Sequence, residues 1–251
     1  MFKAKTTTCV EWKAIAATIS TLVEEATFEV NADGLSFRAM DPSHVALVDL
    51  LWSAKGFTTF ECDKQSKFSI RVADFVKLMR RADAKDSIEI SAKEDEVLDL
   101  VISNGYKRNY KLTLLESSAA PTPLPKLNFN VKMVMPEKTF ERVLSDVSVV
   151  SDHVTIEALS NSVVFQGKSD MGTGLATLDK GNEDLIELEV KEENKATYSI
   201  DYLTNMVKAI GSASEVVTIE YSTKMPVRLE FKIGSGEVRI HFYLAPRIEE
   251  N

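Results

Sequence analysis

Laid over itself at an offset of 128 residues, the sequence repeats its apolar pattern. Trp12, Ile15, Ala16 and Ile19 fall on Phe140, Val143, Leu144 and Val147. Phe28, Leu35 and Phe37 fall on Ile156, Val163 and Phe165, and Val72, Phe75 and Met79 on Ile200, Leu203 and Val207. A slip of one residue is needed later, where Leu98, Leu100 and Ile102 meet Val227, Leu229 and Phe231. Few of the paired residues are identical. The shared pattern carries the argument, because patterning decides fold class. Such a chain folds as two similar halves.

Between the halves lies Glu116–Leu127, ESSAAPTPLPKL, with prolines at 121, 123 and 125. Alternating prolines remove donors and disfavour both helix and central strand, so this stretch reads as an extended linker. The expected division is 1–115, a connector at 116–127, and 128–251.

Each half reads as helix, strands, helix, strands. In the first, Phe2–Lys5 is too short to assign alone. Apolar residues at spacings of three and four give a helix over Val10–Glu24. A hairpin of Thr27–Val30 and Leu35–Arg38 turns at Asn31-Ala32-Asp33-Gly34. The strand His44–Trp52 follows, then Phe68–Arg71, a helix over Val72–Ala82, and strands at Ser87–Ser91, Val97–Ser103 and Asn109–Leu115. The second half has a helix over Pro136–Val149 and strands at Val154–Ala158, Val163–Gln166, Gly174–Leu178 and Leu185–Val190. A helix over Ile200–Ile210, stopped by Gly211, leads to strands at Val216–Tyr221, Val227–Ile233 and Val238–Leu244. The class is α+β, with mostly antiparallel sheets, each covered on one face by two helices.

Composition excludes several functions. No apolar run reaches the roughly 18 residues of a membrane helix, and the N-terminus has no apolar leader core. Cys9 and Cys62 are too few for a disulfide framework, and both are expected reduced. His44, His153 and His241 have no second histidine or cysteine at ligand spacing, so no metal or other cofactor is expected. Asp41 and Asp170 follow strands at turns, where aspartate is ordinary. Gly172-Thr173-Gly174 lacks the rest of a phosphate loop. Nothing supports an enzyme, although a two-domain α+β enzyme remains the rival from another class.

The net charge of −8 argues against a generally adhesive nucleic-acid coat. The four helices nevertheless carry as many basic as acidic residues. Their outward cations are Lys13, Lys77, Arg80, Arg81, Arg142 and Lys208. A repeat is expected to set these helices on one surface. Cations scattered among small polar residues suit phosphate contact without base reading. No aromatic residue interleaves with them, so stacking on bases is not expected. Such a surface alone would hold DNA with a Kd on the order of 10⁻⁴ M or weaker.

Two segments 200 residues apart carry a family resemblance: Asp33–Leu47, DGLSFRAMDPSHVAL, and Tyr243–Glu250, YLAPRIEE. They resemble the proliferating cell nuclear antigen (PCNA) sliding clamps, archaeal rather than eukaryotic in length and in lacking a long acidic tail. Lys77 and Arg80 in DFVKLMRR and Pro226 in MPVRLEF match as well, and the likeness spans essentially the whole chain. It implies the DNA-clamp fold, with sheets outside and helices inside a ring of three subunits around duplex DNA, the chain being cytoplasmic and nucleoid-associated. It implies a processivity factor that tethers DNA polymerase, flap endonuclease and DNA ligase through PIP-box peptides, and that a clamp loader opens. Asn109–Leu115 of one subunit would pair with Thr173–Leu178 of the next, through Tyr110, Leu112, Leu114, Thr173, Leu175 and Thr177. The peptide pocket would comprise Met40, His44, Val45, Leu47, Leu124, Pro125, Leu127, Pro226, Tyr243, Ala245, Pro246 and Ile248. A heterotrimer subunit is the alternative within the family. The sequence departs from the family in two places. Ser117–Ala120 is neutral where the connector is usually acidic, and the first helix offers only Lys13.

Overall fold

The computed structural model describes residues 1–92, 97–116 and 122–248. Connector residues 117–121 and the terminal Glu249 and Glu250 lie outside them. The chain divides into two compact units. One is Met1–Pro42, Val48–Pro123 and Lys232–Ile240, and the other is Ser43–Leu47, Leu124–Phe231 and His241–Asn251.

The first half of the chain runs β1 (Phe2–Thr6), α1 (Val10–Ser20), β2 (Glu25–Asn31), β3 (Gly34–Met40), β4 (Ala46–Ser53), β5 (Thr59–Cys62), β6 (Ser66–Arg71), α2 (Val72–Met79), β7 (Ser87–Ala92), β8 (Val97–Asn104) and β9 (Tyr106–Thr113). The second runs β10 (Val131–Pro136), α3 (Glu137–Ser148), β11 (His153–Leu159), β12 (Ser162–Ser169), β13 (Gly172–Asp179), β14 (Glu187–Val190), β15 (Asn194–Ser199), α4 (Ile200–Ile210), β16 (Val216–Tyr221), β17 (Val227–Ile233) and β18 (Val238–Leu244). The halves are copies. β2 and β11 begin 128 residues apart, as do β5 and β14, β6 and β15, and α2 and α4. By β7 and β16 the offset is 129, the slip that the apolar pattern requires. The sheets repeat too: β5-β1-β7-β8-β9 matches β14-β10-β16-β17-β18, and β6-β2-β3-β4 matches β15-β11-β12-β13.

Local chemistry explains the elements. At the β2–β3 hairpin, Asn31 Oδ1 accepts from Asp33 N at 2.8 Å and Gly34 N at 3.2 Å. Gly34 has φ 144°, and a Cβ there would stand 2.0 Å from Trp52 O, so only glycine fits. The burial of β2 alternates, Ala26, Phe28 and Val30 pointing inward. Helix α2 buries Val72, Phe75 and Met79, and α3 buries Phe140, Val143, Leu144 and Val147. The first unit packs Trp12 at 4.6 Å from Trp52, with Phe57 stacked on Trp52 at 4.2 Å. Removing such a buried aromatic costs about 3–5 kcal/mol. In the second unit Tyr198 and Tyr221 are buried. Their hydroxyls donate to Met225 O at 2.9 Å and to Ile156 O at 3.2 Å, and burial pushes both phenols far above their ordinary range.

Several expected boundaries are corrected. α1 stops at Ser20 rather than Glu24. Ser20 and Thr21 hydroxyls donate to Ala17 O and Thr18 O, and Thr21 N and Leu22 N bond three residues back, which tightens the last turn and ends the helix. α2 stops at Met79 rather than Ala82, with Arg80 as its C-cap. β4 begins at Ala46 rather than His44 because His44 has φ 58°, outside the strand region. β9 is Tyr106–Thr113 rather than Asn109–Leu115. β5, β10 and β15 were not expected.

Candidate nucleic-acid and partner interfaces

α1 packs against α2, and α3 against α4. Lys13, Lys77, Arg142 and Lys208 stand on these helices, while Arg80 is the C-cap of α2 and Arg81 follows it. The Lys77 side chain is 73% exposed and leans on Asp74 at 3.5 Å; Asp74 also takes Arg71 at 3.2 Å. Arg80, Arg81, Arg142 and Lys208 are exposed and Lys13 is half-buried. Arg142 also lines a groove of about 380 Å³ with Lys138 of α3 and Thr177 of β13.

The end of α2 is held from the edge strand β9. Arg108 Nη1 donates to Arg81 O at 2.7 Å, its Nη2 pairs with Asp86, and its guanidinium lies 5.4 Å from the Tyr106 ring centre. Asp86 also accepts from Asp83 N at 2.8 Å. Burial alone would raise the Asp86 carboxyl, but the Asp83 N–H and the Arg108 guanidinium outweigh it and hold it below its ordinary value. Backbone geometry next to two exposed arginines thus depends on one buried ion pair.

The residues expected to form a partner pocket fall in the second unit, except Met40, which ends β3 in the first. Leu47 and Tyr243 are buried, as ordinary core residues would be; Val45, Leu124 and Ile248 are exposed, Ile248 at 81%. His44 is exposed, and Pro125, Leu127, Pro226, Ala245 and Pro246 are half-buried. Hydrogen bonds gather the stretches that carry them. Ala245 N donates to Val45 O at 2.9 Å, and Arg247 N to Thr197 O at 2.8 Å. The neighbouring Tyr198 hydroxyl reaches Met225 O at 2.9 Å, beside Pro226. Phe129, two residues after Leu127, stacks under the Arg228 guanidinium at 5.2 Å, and Arg228 is paired with Glu220. Phe129 and Arg228 are absent from the expected set. The run of pocket residues on both sides of them was the only signal in the sequence.

The expected interface residues other than Leu114 lie on two edge strands, β9 and β13. On β13, Thr173, Leu175 and Thr177 share the outward face, with Leu175 64% exposed. On β9, Tyr110 and Leu112 point the other way, Leu112 being buried, and Leu114 lies beyond the strand.

Among the described residues no group of three histidine, cysteine or carboxylate side chains could hold a metal. Asp41 is buried, and Asp170 is exposed at the tip between β12 and β13.

Family models of the PCNA N-terminal and C-terminal domains match residues 1–118 and 123–247. The DNA polymerase sliding clamp of Nitrosopumilus maritimus is 47% identical over 99% of both chains. A sliding clamp of Thermococcus kodakarensis is 34% identical over 96% of both. The crystal structure of PCNA from Thermococcus kodakaraensis superposes with a TM-score of 0.93 at 23% identity, covering 98% of this chain and all of that one, a likeness of fold. A structure of the C-terminal region of FEN-1 bound to A. fulgidus PCNA superposes with a TM-score of 0.91 at 26% identity, covering both chains in full.

Proposed function

The chain belongs to the proliferating cell nuclear antigen family, and on that footing we propose how this sequence does the work of a DNA polymerase sliding clamp, a processivity factor without catalysis of its own. The observation that carries the proposal is a difference in strand pairing. β18 lies beside β4, with Ser53 N donating to Glu237 O and Ala245 N to Val45 O, each at 2.9 Å. By the repeat, β9 is the copy of β18 and β13 is the copy of β4. Yet β9 and β13 are both edges. Among the described residues each lacks the neighbour that its copy has. Three chains joined head to tail, β9 of one along β13 of the next, give a closed ring with none of these edges exposed. Both edges belong to one chain, so copies of this chain alone can close the ring, as a homotrimer. The backbones of β9 and β13 make the joint, with Tyr110, Leu112, Leu114, Thr173, Leu175 and Thr177 beside it.

Duplex DNA passes through the ring, met by Lys13, Lys77, Arg80, Arg81, Arg142 and Lys208 at the phosphates without regard to sequence. Topology, rather than affinity, keeps the ring on DNA. The surface formed by His44, Val45, Leu124, Pro125, Leu127, Pro226, Ala245, Pro246 and Ile248 takes the apolar plug of a partner's PIP-box peptide. Leu47 and Tyr243 form its floor. Polymerase, flap endonuclease, ligase and clamp loader dock there in turn, and tethering raises their concentration at the DNA. The FEN-1 peptide held by A. fulgidus PCNA supports this reading. Native mass measurement at low salt tests it: a species of three times 27.9 kDa is expected. A strict monomer at micromolar concentration would overturn the homotrimer and favour a heterotrimer.

A further inference from the structure

Four stretches build the partner pocket proposed above: Ser43–Leu47, Leu124–Phe129, Ser222–Arg228 and His241–Ile248. None contains an aspartate or glutamate, yet they hold Lys126, Lys224, Arg228 and Arg247, in a chain whose acidic residues outnumber its basic ones, 38 to 30. The cations are interleaved with the apolar residues. Lys126 lies between Pro125 and Leu127, Arg247 between Pro246 and Ile248, and Lys224 two residues before Pro226; all three are exposed. Lys224 sits at φ 59°, in a turn that holds it out from β17. Arg247 is fixed twice, by its N–H on Thr197 O at 2.8 Å and by its guanidinium on His153 Nδ1 at 2.9 Å. Of the acidic groups nearby, Glu220 holds Arg228 and Glu157 faces Lys195 at 3.5 Å; Asp152 lies 2.6 Å from the same His153 Nδ1 that Arg247 approaches, an atom that either accepts from the guanidinium or donates to the carboxylate. Glu249 and Glu250 follow Ile248 outside the described residues.

We propose that this rim selects partner peptides in which the apolar plug is flanked by carboxylates. The proposal rests on the pocket reading and adds the charge of the occupant. Arg228, already paired and stacked on Phe129, supports the wall. Lys126, Lys224 and Arg247 are the groups left to meet acidic side chains of the peptide, with geometric freedom for the lysines and a fixed fork for Arg247.

The test uses two labelled peptides with the same aromatic and aliphatic plug, one flanked by glutamates and the other by lysines, titrated into the full-length protein. The glutamate peptide binds roughly three- to tenfold tighter at low salt, the effect expected of two exposed ion pairs. The gap closes at about 1 M salt, where the screening length falls to roughly 3 Å. Lys126→Glu with Lys224→Glu reverses the order of the peptides, whereas Leu124→Ala weakens both alike. Equal affinities, or tighter binding of the lysine peptide, overturn the charge selection and leave the pocket standing. If Leu124→Ala changes neither affinity, or if neither peptide binds, the pocket reading falls and this proposal with it.

Discussion

Replacing Asp86 with alanine strands a guanidinium in the wall of the first unit. The Asp86 side chain is 1% exposed and that of Arg108 is 19% exposed. Arginine cannot shed its proton to relieve the loss. The Arg81 carbonyl at 2.7 Å, the Tyr106 ring at 5.4 Å and a partial contact with water remain to solvate it. Breaking a buried pair from one side costs about 3–5 kcal/mol. Because Arg108 keeps some contact with water, the lower end applies, about 3 kcal/mol. For a chain of this length that lowers the melting temperature by roughly 6–12 °C. Thermal unfolding should be followed at one fixed protein concentration, since assembly itself shifts the midpoint. Pairing Asp86→Leu with Arg108→Met removes both charges and recovers most of the loss. pH adds a check. The folded-state carboxyl lies below its ordinary value, so its contribution is present above the usual carboxylate range and is lost as pH falls through its own titration. The gap between parent and Asp86→Ala therefore narrows in acid. An alanine variant within roughly 0.5 kcal/mol of the parent, or a double variant as unstable as the single, would refute the argument.

Lys77→Ala with Arg80→Ala should lessen the salt dependence of DNA retention, by about 0.9 in the log–log slope for each phosphate no longer neutralised; an unchanged slope means α2 does not meet DNA. Burial, and then the charge of Glu141, push the Glu137 carboxyl above its ordinary value. The folded state therefore disfavours ionised Glu137, and stability is lost as pH rises through the carboxylate range. Glu137→Gln should raise the melting temperature near pH 7 and leave it unchanged near pH 4. An equal difference at both pH values would assign the effect to packing.

The repeat was legible because burial imposes it: inward residues of both halves fall in step whatever their identity. α4 was legible to the residue, its end set by Gly211 at φ 51°. The missed strands have physical causes. β15, NKATYS, buries Asn194, Ala196 and Tyr198, so no apolar alternation marks it. β5 is four residues long, and β10 runs into Pro136, which reads as a helix start. Copying β6 forward by the repeat offset would have found β15. The exposure of Lys77, Arg142 and Lys208 on their helices could be read from spacing alone, whereas Lys13 is half-buried. The Arg108–Asp86 pair could not, because its 22-residue separation becomes a contact only through sheet register. The same holds for Phe129 under Arg228. Leu47 and Tyr243 carry the family motif, yet packing has buried them, so motif and accessibility are separate properties.

The β4–β18 pairing bears on how the proposed ring opens. In that ring, joints of one design alternate between two kinds, those inside a chain and those between chains. The former are spliced by peptide bonds and reform at once if strained. The latter have no covalent splice, so nothing in the backbone holds their two sides together once the strands part. A loader facing a nearly uniform hoop therefore needs no mark to find the seam. Equal force applied anywhere is relieved only at β9 and β13, and the hoop gives way where the polypeptide ends its circuit.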